Sequence, residues 1–238
     1  MASGSGAVGV SPFVLAVTGL TKEARIAAGP GILALSGGGS RAGLEQQLSA
    51  VDVSSFQAVV SFGIAGALDP GLRVGDVLFA TEIRDGQRHW PTSPGFRATW
   101  MEKLGSAQMP LIECQIAGVD APLLTPAAKR ALLAESGAGA VDMESHIAAA
   151  FAARHALPFG ALRVVSDRAD HVLPPAAGIA MRPDGSIDMM GVVRSLARDP
   201  RQIPGLVATA RDAAVAFRVL GRVGRLLALG GGLLGLDL

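Results

Sequence analysis

The sequence is poor in cysteine, in histidine clusters and in net charge, and each shortage excludes a class of protein. Cys114 is the one cysteine among 238 residues, which excludes an internal disulfide framework and a multi-cysteine metal site. The four histidines show no HExxH or comparable ligand spacing, so we expect no metal: His89, His146, His155 and His171. With 21 Lys and Arg against 20 Asp and Glu, the charge balance gives no indication of nucleic-acid binding.

Long hydrophobic runs are also missing. No segment approaches the roughly 20 apolar residues that a bilayer-spanning helix needs. The longest candidate, LLALGGGLLGL after Arg225, is too short and too rich in glycine. The opening MASGSGAVGV has no basic region and is not typical of a secretory signal. We therefore expect a cytoplasmic, reducing environment, which also suits the lone cysteine.

The sequence does have a regular alternation of apolar runs and helical segments. Half of its residues are hydrophobic and 17% are charged, as in a chain that folds around a core. Apolar runs that predict buried strands lie at 12–18, 31–39, 57–68, 75–83, 111–119 and 159–170. Helices are predicted at about 40–50, 126–136 and 144–156. The alternation predicts a single α/β domain over residues 8–200, built as an α/β/α sandwich around a central mixed, mostly parallel sheet. A C-terminal helical extension of the same domain is predicted over 201–238.

Glycines follow three of the predicted strands: Gly19, the triplet Gly37, Gly38 and Gly39, and the pair Gly63 and Gly66. Ligands of open α/β sheets bind outside the carboxyl ends of the strands, where glycine lets a ligand approach the backbone. For any single one of these glycines, turn formation is the favoured explanation. SGGGSRAG lacks the GxGxxG spacing and no Gly-Lys-Ser/Thr occurs, so neither NAD nor ATP is predicted, and no cofactor is expected.

Three carboxylates stand at the ends of predicted elements that could meet at one rim of the sheet. Glu23 follows the first strand, Glu144 opens the alanine-rich helix in AVDMESHIAAAFAARH, and Asp167 ends the sixth strand. A cap or a solvated loop position explains each of them alone, since the helix dipole favours an acid at a helix start by about 0.3–1 kcal/mol. All three at one rim indicate a site.

Three segments carry a resemblance to a known family. VVSFGIAGALDPGLRVGDVLFATEI, AVDMES and ALRVVSDRAD resemble motifs of the purine nucleoside phosphorylase and nucleosidase superfamily, especially the branch that includes methylthioadenosine/S-adenosylhomocysteine nucleosidase. The resemblance covers roughly residues 12–170 and implies cleavage of the N-glycosidic bond of a purine nucleoside. The later segment, which begins LPPAAGIAMRPDG, resembles hopanoid-associated phosphorylases. That likeness implies release of adenine from adenosylhopane in hopanoid biosynthesis.

The resemblance also implies roles for single residues. Asp167 protonates the purine ring nitrogen, with Ser166 orienting it. Glu144 accepts hydrogen bonds from the ribose 2′- and 3′-hydroxyls, beside the flexible wall formed by Met143. The substrate is also lined by Gly63, Ile64, Ala65 and Gly66. Where nucleosidases usually have serine in GSAGG, this chain has Ile64 in GIAGA, which suits an apolar substrate better than a small polar one.

The attacking group stays open between water and phosphate. In the nucleosidase branch, the glutamate that matches Glu23 activates water. Phosphate would instead need cations near the first strand end, such as Lys22, Arg25 or Arg41. The segment that could cradle it comprises Gly37, Gly38, Gly39, Ser40 and Arg41. The residues favour water, whereas the hopanoid-associated resemblance favours phosphate as a co-substrate.

The C-terminal segment has a basic helical face. Four arginines recur at helical spacing before a Leu/Gly tail: Arg211, Arg218, Arg222 and Arg225. Such a helix lies peripherally on the inner face of an anionic membrane, packs on the domain with its arginines in solvent, or forms an oligomer contact. The resemblance implies a homo-oligomer.

Three further alternatives stay open. The chain could be a small-substrate nucleosidase of the methylthioadenosine type, or a non-catalytic nucleoside-binding protein. The presence of Glu23, Glu144 and Asp167 together argues against the latter.

The aromatic residues Trp90, Phe96 and Trp100 either roof an apolar substrate channel or pack within a loop.

Overall fold

The structure, a computed structural model, describes residues 14–179, 185–186 and 188–228. Its strands are β1 (Val14–Thr18), β2 (Ile32–Ser36), β3 (Ala58–Ala67), β4 (Val77–Asp85), β5 (Arg88–Pro91), β6 (Leu111–Gly118), β7 (Ala140–Asp142) and β8 (Phe159–Asp167). Its α-helices are α1 (Thr21–Ala27), α2 (Arg41–Ser49), α3 (Pro94–Ser106), α4 (Pro126–Ser136), α5 (Ser145–Arg154), α6 (Pro175–Ile179), α7 (Met189–Arg198) and α8 (Ile203–Ala228). Single 3₁₀ turns lie at Val53–Ser55 and Pro200–Gln202.

The strands form one mixed sheet. Their order is β2-β1-β3-β7-β6-β4-β5, and β8 pairs with both β3 and β4. The pairs β1–β2, β1–β3, β3–β8, β4–β6 and β6–β7 are parallel, whereas β3–β7, β4–β5 and β4–β8 are antiparallel. Because β3, β8, β4, β6 and β7 pair in a ring, this part of the sheet closes on itself as a small barrel. The prediction of a mixed, mostly parallel sheet is confirmed.

Alternate residues of each strand face opposite layers of helices. Along β1, Leu15 and Val17 share a core with α2 and α5, whereas Val14 and Ala16 share a second core with α3 and α8. Burial on both faces explains why β1 is a continuous apolar run and not an alternating one. The layers confirm the predicted α/β/α arrangement.

The six predicted strands and three predicted helices all occur, with ends shifted by a few residues. The sequence missed β5, β7, α1, α3, α6 and α7, and all but α3 are short or lie near the C-terminal segment. Two turns of helix or three residues of strand show too little periodicity to predict.

Helix α3 contains Phe96 and Trp100, for which the sequence left open a channel roof or packing within a loop. It begins at Pro94, where a missing N–H is no loss because first-turn amides have no partner within the helix. Its Phe96 and Trp100 are fully buried, with ring centroids 5.1 Å apart. The alternative of a channel roof is therefore wrong for these two residues, while Trp90 on β5 is partly buried.

Helix α8 packs on the sheet with one face exposed. Ala216, Leu220, Val223 and Leu227 are buried in the core. The four predicted arginines are all exposed: Arg211, Arg218, Arg222 and Arg225. Within the described residues, no helix has the length and apolarity needed to cross a bilayer. Membrane contact by the arginine face stays a prediction, and the Leu/Gly tail lies outside the described residues.

Candidate active site

A pocket of about 140 Å³ lies where β1, β3, β7 and β8 end. It brings together the three predicted carboxylates Glu23, Glu144 and Asp167. Its lining includes five of the other predicted substrate residues, whereas Gly63 is not part of it: Ile64, Ala65, Gly66, Met143 and Ser166. The pocket therefore lies at the edge of the sheet where α/β proteins bind their ligands.

Glu23 is buried in the first turn of α1 and is fixed by backbone amides. Its Oε2 accepts hydrogen bonds of 2.8 Å from the amides of Gly19 and Leu20, and its Oε1 accepts one of 2.8 Å from Ile64. A Cβ on Gly63 would lie 2.6 Å from Oε1, so this approach requires glycine there. Burial raises the pKa of Glu23, and a buried guanidinium and the three amides offset part of the increase.

Glu144 stands immediately before α5 and lies against the backbone of Gly19. A Cβ on Gly19 would lie 2.6 Å from Glu144 Oε1, so glycine makes room for the carboxyl group. Burial raises the pKa of Glu144 from 4.5 to about 8, and the negative charges of Asp142 and Glu23 act in the same direction. A carboxyl group with this pKa is mostly protonated at neutral pH. A positive charge that develops beside it favours the ionised form.

Arg163 on β8 anchors the acids from inside the protein. It is fully buried; its Nε donates to Asp142 Oδ2 at 2.6 Å, and its Nη2 donates to the Ser61 hydroxyl at 2.6 Å. Asp142 also accepts a 2.9 Å hydrogen bond from the amide of Ser145. Burial alone would raise the pKa of Asp142, but Arg163 and Ser145 outweigh it and lower the pKa. Asp142 is therefore the ionised partner of the guanidinium.

Asp167 at the end of β8 is held from two sides. The Ser166 hydroxyl donates to its Oδ1 at 2.8 Å, and the Lys129 ammonium donates to its Oδ2. Lys129 comes from α4, is 1% exposed, and also donates to the carbonyl of Arg168 at 2.6 Å. A lysine buried to this degree is rare unless it is paired.

The pocket wall beside these acids is apolar. It is formed by Val119, Pro122, Leu123, Val141 and Leu173. Such a wall suits a planar aromatic ring whose polar edge reaches a few placed groups. Here the groups within reach at the edge of the wall are Ser166 and Asp167.

One side of the pocket has more carboxyl groups than cations. Glu23, Asp142 and Glu144 interact with one guanidinium, that of Arg163, whereas Asp167 has its own cation. A cation that develops beside Glu23 and Glu144 is stabilised by this arrangement. Over residues 14–179, 185–186 and 188–228, no three His, Cys, Asp or Glu side chains are grouped to hold a metal ion.

The glycine loop after β2 lies outside this pocket. Ser40 caps α2, and Arg41 forms ion pairs with Asp120 at 3.1 Å, Glu45 at 3.2 Å and Asp85 at 3.7 Å. The residues of the loop are absent from the pocket lining: Gly37, Gly38, Gly39, Ser40 and Arg41. Phosphate binding by this loop stays a prediction.

Lys129 and Arg163 are site residues that sequence reasoning missed. Arg163 is a charged residue inside the apolar strand FGALRVV, and Lys129 stands three and four residues before Leu132 and Leu133 on α4. Because an unpaired charge in a core is costly, a charge at a position that otherwise predicts burial is a usable signal. Asp142 was seen only as part of the AVDMES motif.

The family model of the phosphorylase superfamily matches residues 13–180, most of the chain. The chain belongs to this superfamily. The match includes the strands and acids that form the pocket, so the resemblance to the purine nucleoside phosphorylase and nucleosidase superfamily is confirmed. The expectation of an enzyme of the phosphorylase and nucleosidase class is confirmed with it. No curated protein matches the sequence significantly.

Solved nucleosidase structures share the fold of this superfamily member at low identity. A mutant of Helicobacter pylori methylthioadenosine nucleosidase, with 5′-methylthioadenosine in its active site, is 16% identical with a TM-score of 0.63. The alignment covers 89% of this chain and 97% of that one. The Campylobacter jejuni methylthioadenosine/S-adenosylhomocysteine nucleosidase is 15% identical, with a TM-score of 0.60 and coverage of 89% and 99%. H. pylori futalosine hydrolase is 20% identical, with a TM-score of 0.56 and coverage of 66% and 88%.

Proposed function

We propose that this protein releases the base of a purine nucleoside by hydrolysing the N-glycosidic bond. The observation that carries the proposal is the division of charge across one pocket. On one side the carboxyl groups of Glu23, Asp142 and Glu144 share one guanidinium, and on the other Asp167 with Lys129 forms a proton-bearing pair. Glycosidic cleavage passes through an oxocarbenium-like sugar and a leaving group that must be protonated. The two sides of the pocket match these two needs.

Glu144 binds the ribose in this proposal. It lines the pocket beside Met143, next to the backbone of Gly19. Ionised, it accepts charge-assisted hydrogen bonds from two vicinal hydroxyls, which are roughly twice as strong as neutral ones. Its negative charge then lies next to the developing cation. The supporting observation is that burial, followed by the negative charges of Asp142 and Glu23, raises its pKa, and a cation beside it would favour the ionised form.

Glu23 activates the attacking water. The amides of Gly19, Leu20 and Ile64 hold its carboxylate in one orientation. A raised pKa makes the carboxylate a better base near neutral pH. Water is favoured over phosphate because Arg41, one of the three cations predicted for phosphate and the one in the glycine segment, is already paired with three carboxylates.

Asp167 protonates the purine as it leaves. The apolar wall positions the ring, and the carboxyl group meets its edge. Proton transfer from a positioned side chain contributes about 10²–10⁴-fold to the rate. Ser166 holds Oδ1 and so fixes the orientation of the group.

The test is adenine release from 5′-methylthioadenosine with and without phosphate. Release that needs no phosphate and yields free ribosyl product supports hydrolysis, and a ribose 1-phosphate product would refute it. Asp167→Asn should lower kcat at least about 100-fold, while Asp170→Asn, an exposed carboxylate nearby, should not. Glu23→Gln should lose activity, and Glu45→Gln on exposed α2 surface is its control.

We further propose a substrate with a bulky apolar 5′ substituent, such as the adenosylhopane expected from the sequence. A groove of about 440 Å³ lies between α1 and α8 and shares Leu20 with the active-site pocket. Its wall includes Phe217 and three alanines of α8: Ala210, Ala213 and Ala214. Ile64 adds apolar surface to the pocket itself.

Substrate length tests this proposal. The value of kcat/KM should rise with alkyl length in a series of 5′-alkylthioadenosines, and Phe217→Asp should abolish the rise without changing methylthioadenosine turnover. A preference for the shortest member would favour a small-substrate nucleosidase. Homo-oligomerisation and peripheral membrane contact through α8 stay predictions, which sedimentation and binding to anionic vesicles would test.

A further inference from the structure

The pair of Lys129 and Asp167 is unusual for a site that must protonate a leaving group. The Lys129 side chain is 1% exposed and its Nζ donates to Asp167 Oδ2 and to the Arg168 carbonyl. Both side chains line the active-site pocket. The proton that joins them is therefore next to the place where the purine edge is expected.

The other polar groups near Asp167 are not sources of a proton for the purine. The Ser166 hydroxyl has one proton, which it donates towards Oδ1 of Asp167. Arg168 is exposed and pairs with Asp170, and it contributes only its carbonyl to Lys129. Among the described residues, Lys129 is the titratable side chain in hydrogen-bond contact with Asp167.

We propose that Lys129 supplies, through Asp167, the proton that neutralises the departing purine. This inference rests on the proposed hydrolysis. As the N-glycosidic bond breaks, its electron pair moves to the purine, the Lys129 ammonium passes a proton to the Asp167 carboxylate, and Asp167 passes a proton to the purine ring nitrogen, so that Asp167 ends as a carboxylate again. Water adds to the sugar and gives its proton to Glu23. One proton is lost at Lys129 and one is gained at Glu23, so the step balances.

Lys129 is thus a positioning and proton-supplying residue that acts through Asp167 and does not touch the substrate. Lysine suits this task because its ammonium can lose a proton when buried, whereas a guanidinium stays protonated. The arrangement also explains why the ammonium is buried at the pocket: an ammonium in solvent would have no short path to the purine. After the product leaves, the proton on Glu23 is lost to solvent and Lys129 is recharged.

The test compares two leaving groups in the full-length protein. Adenine release requires ring protonation, whereas 4-nitrophenyl riboside releases a stable nitrophenolate without it. Lys129→Met should lower kcat for adenine release by about 10²–10³-fold and change kcat for the nitrophenyl riboside less than about threefold. Lys129→Arg, which keeps the charge but cannot give up the proton, should show the same selective loss of adenine release. Arg130→Met, exposed on the same helix, is the control and should leave both rates unchanged.

The outcomes separate the possible failures. Equal losses on both substrates in a variant that melts like the wild type would show a structural role and overturn the inference. Wild-type adenine release by Lys129→Met, or full activity of Lys129→Arg, would overturn it as well. If the wild-type protein hydrolysed neither the purine nucleoside nor the nitrophenyl riboside, the proposed function itself would be refuted before any variant was made.

Discussion

Replacing Glu144 by glutamine tests the electrostatics of the pocket, because the amide keeps the shape of the carboxyl group but cannot ionise. Burial, Asp142 and Glu23 together raise the pKa of Glu144 to about 8. At pH 7 about one molecule in ten then carries the ionised form, and at pH 9 about nine in ten. If the ionised form binds ribose and stabilises the cation, kcat/KM should rise about tenfold per pH unit below pH 8 and level off above it.

The same pKa predicts a change in stability with a definite sign. Between pH 4.5 and about 8, the folded protein keeps a proton on Glu144 that the unfolded chain has released. Stability from this group is therefore fully present at low pH and is lost as pH rises through this window. Glu144→Gln has no such proton, so its stability relative to the wild type should increase from pH 5 to pH 9.

Three measurements check these expectations. Carbon-13 NMR of protein labelled at the glutamate carboxyl carbons should show one signal that titrates near pH 8 and is absent from Glu144→Gln. The kcat/KM of Glu144→Gln should be about 100-fold lower than that of the wild type and should lack the rise with pH. Urea denaturation at several pH values gives the stability difference. Glu102→Gln, exposed on α3, serves as the matched control.

The reasoning fails if the Glu144 signal titrates near 4.5, since the buried negative charges would then have no effect on it. A stability difference that does not vary with pH would lead to the same conclusion. Retention of the wild-type pH profile by Glu144→Gln would assign the rise to another group, of which Glu23 is the first to examine because its pKa is also raised.

Three other perturbations follow from the structure. Arg163→Met leaves the buried Asp142 unpaired and should lower the free energy of unfolding by roughly 3–5 kcal/mol in urea, and unchanged stability would contradict this. Gly19→Ala places a Cβ 2.6 Å from Glu144 and should reduce kcat/KM at least about tenfold without changing the melting temperature. Burial, with a nearby carboxylate, raises the pKa of Cys114 to about 12. Iodoacetamide at pH 8 should therefore label this thiol only after unfolding, and rapid labelling of the native protein would disprove the prediction.

Part of this molecule could be predicted from the sequence because the relevant signals are local. Strand β1 is buried on both faces and four consecutive residues of it, Val14–Val17, are apolar, so its position can be predicted without any tertiary information. Glu23, Glu144 and Asp167 stand directly beside predicted element ends, and the ends of parallel strands meet at one edge. The prediction that the three acids meet therefore needed only the fold class.

The errors have an equally physical origin. Helix α3 begins at Pro94 and Pro110 lies four residues beyond its end, yet a local pattern cannot distinguish such a helix from a loop. The glycine triplet indicated an anion site, but tertiary contacts bring three carboxylates to Arg41 and leave the triplet outside the pocket.

The sequence by itself determined the fold class, the main strands and the three acids, since these depend on residues that are close along the chain. Only the tertiary structure decided which charges pair. Lys129 and Asp167 are 38 positions apart, and Arg163 and Asp142 are 21 apart. The raised pKa of Glu144 depends on burial and on neighbouring charges that no local pattern contains. The protonation states that the chemistry requires are therefore a property of the folded pocket.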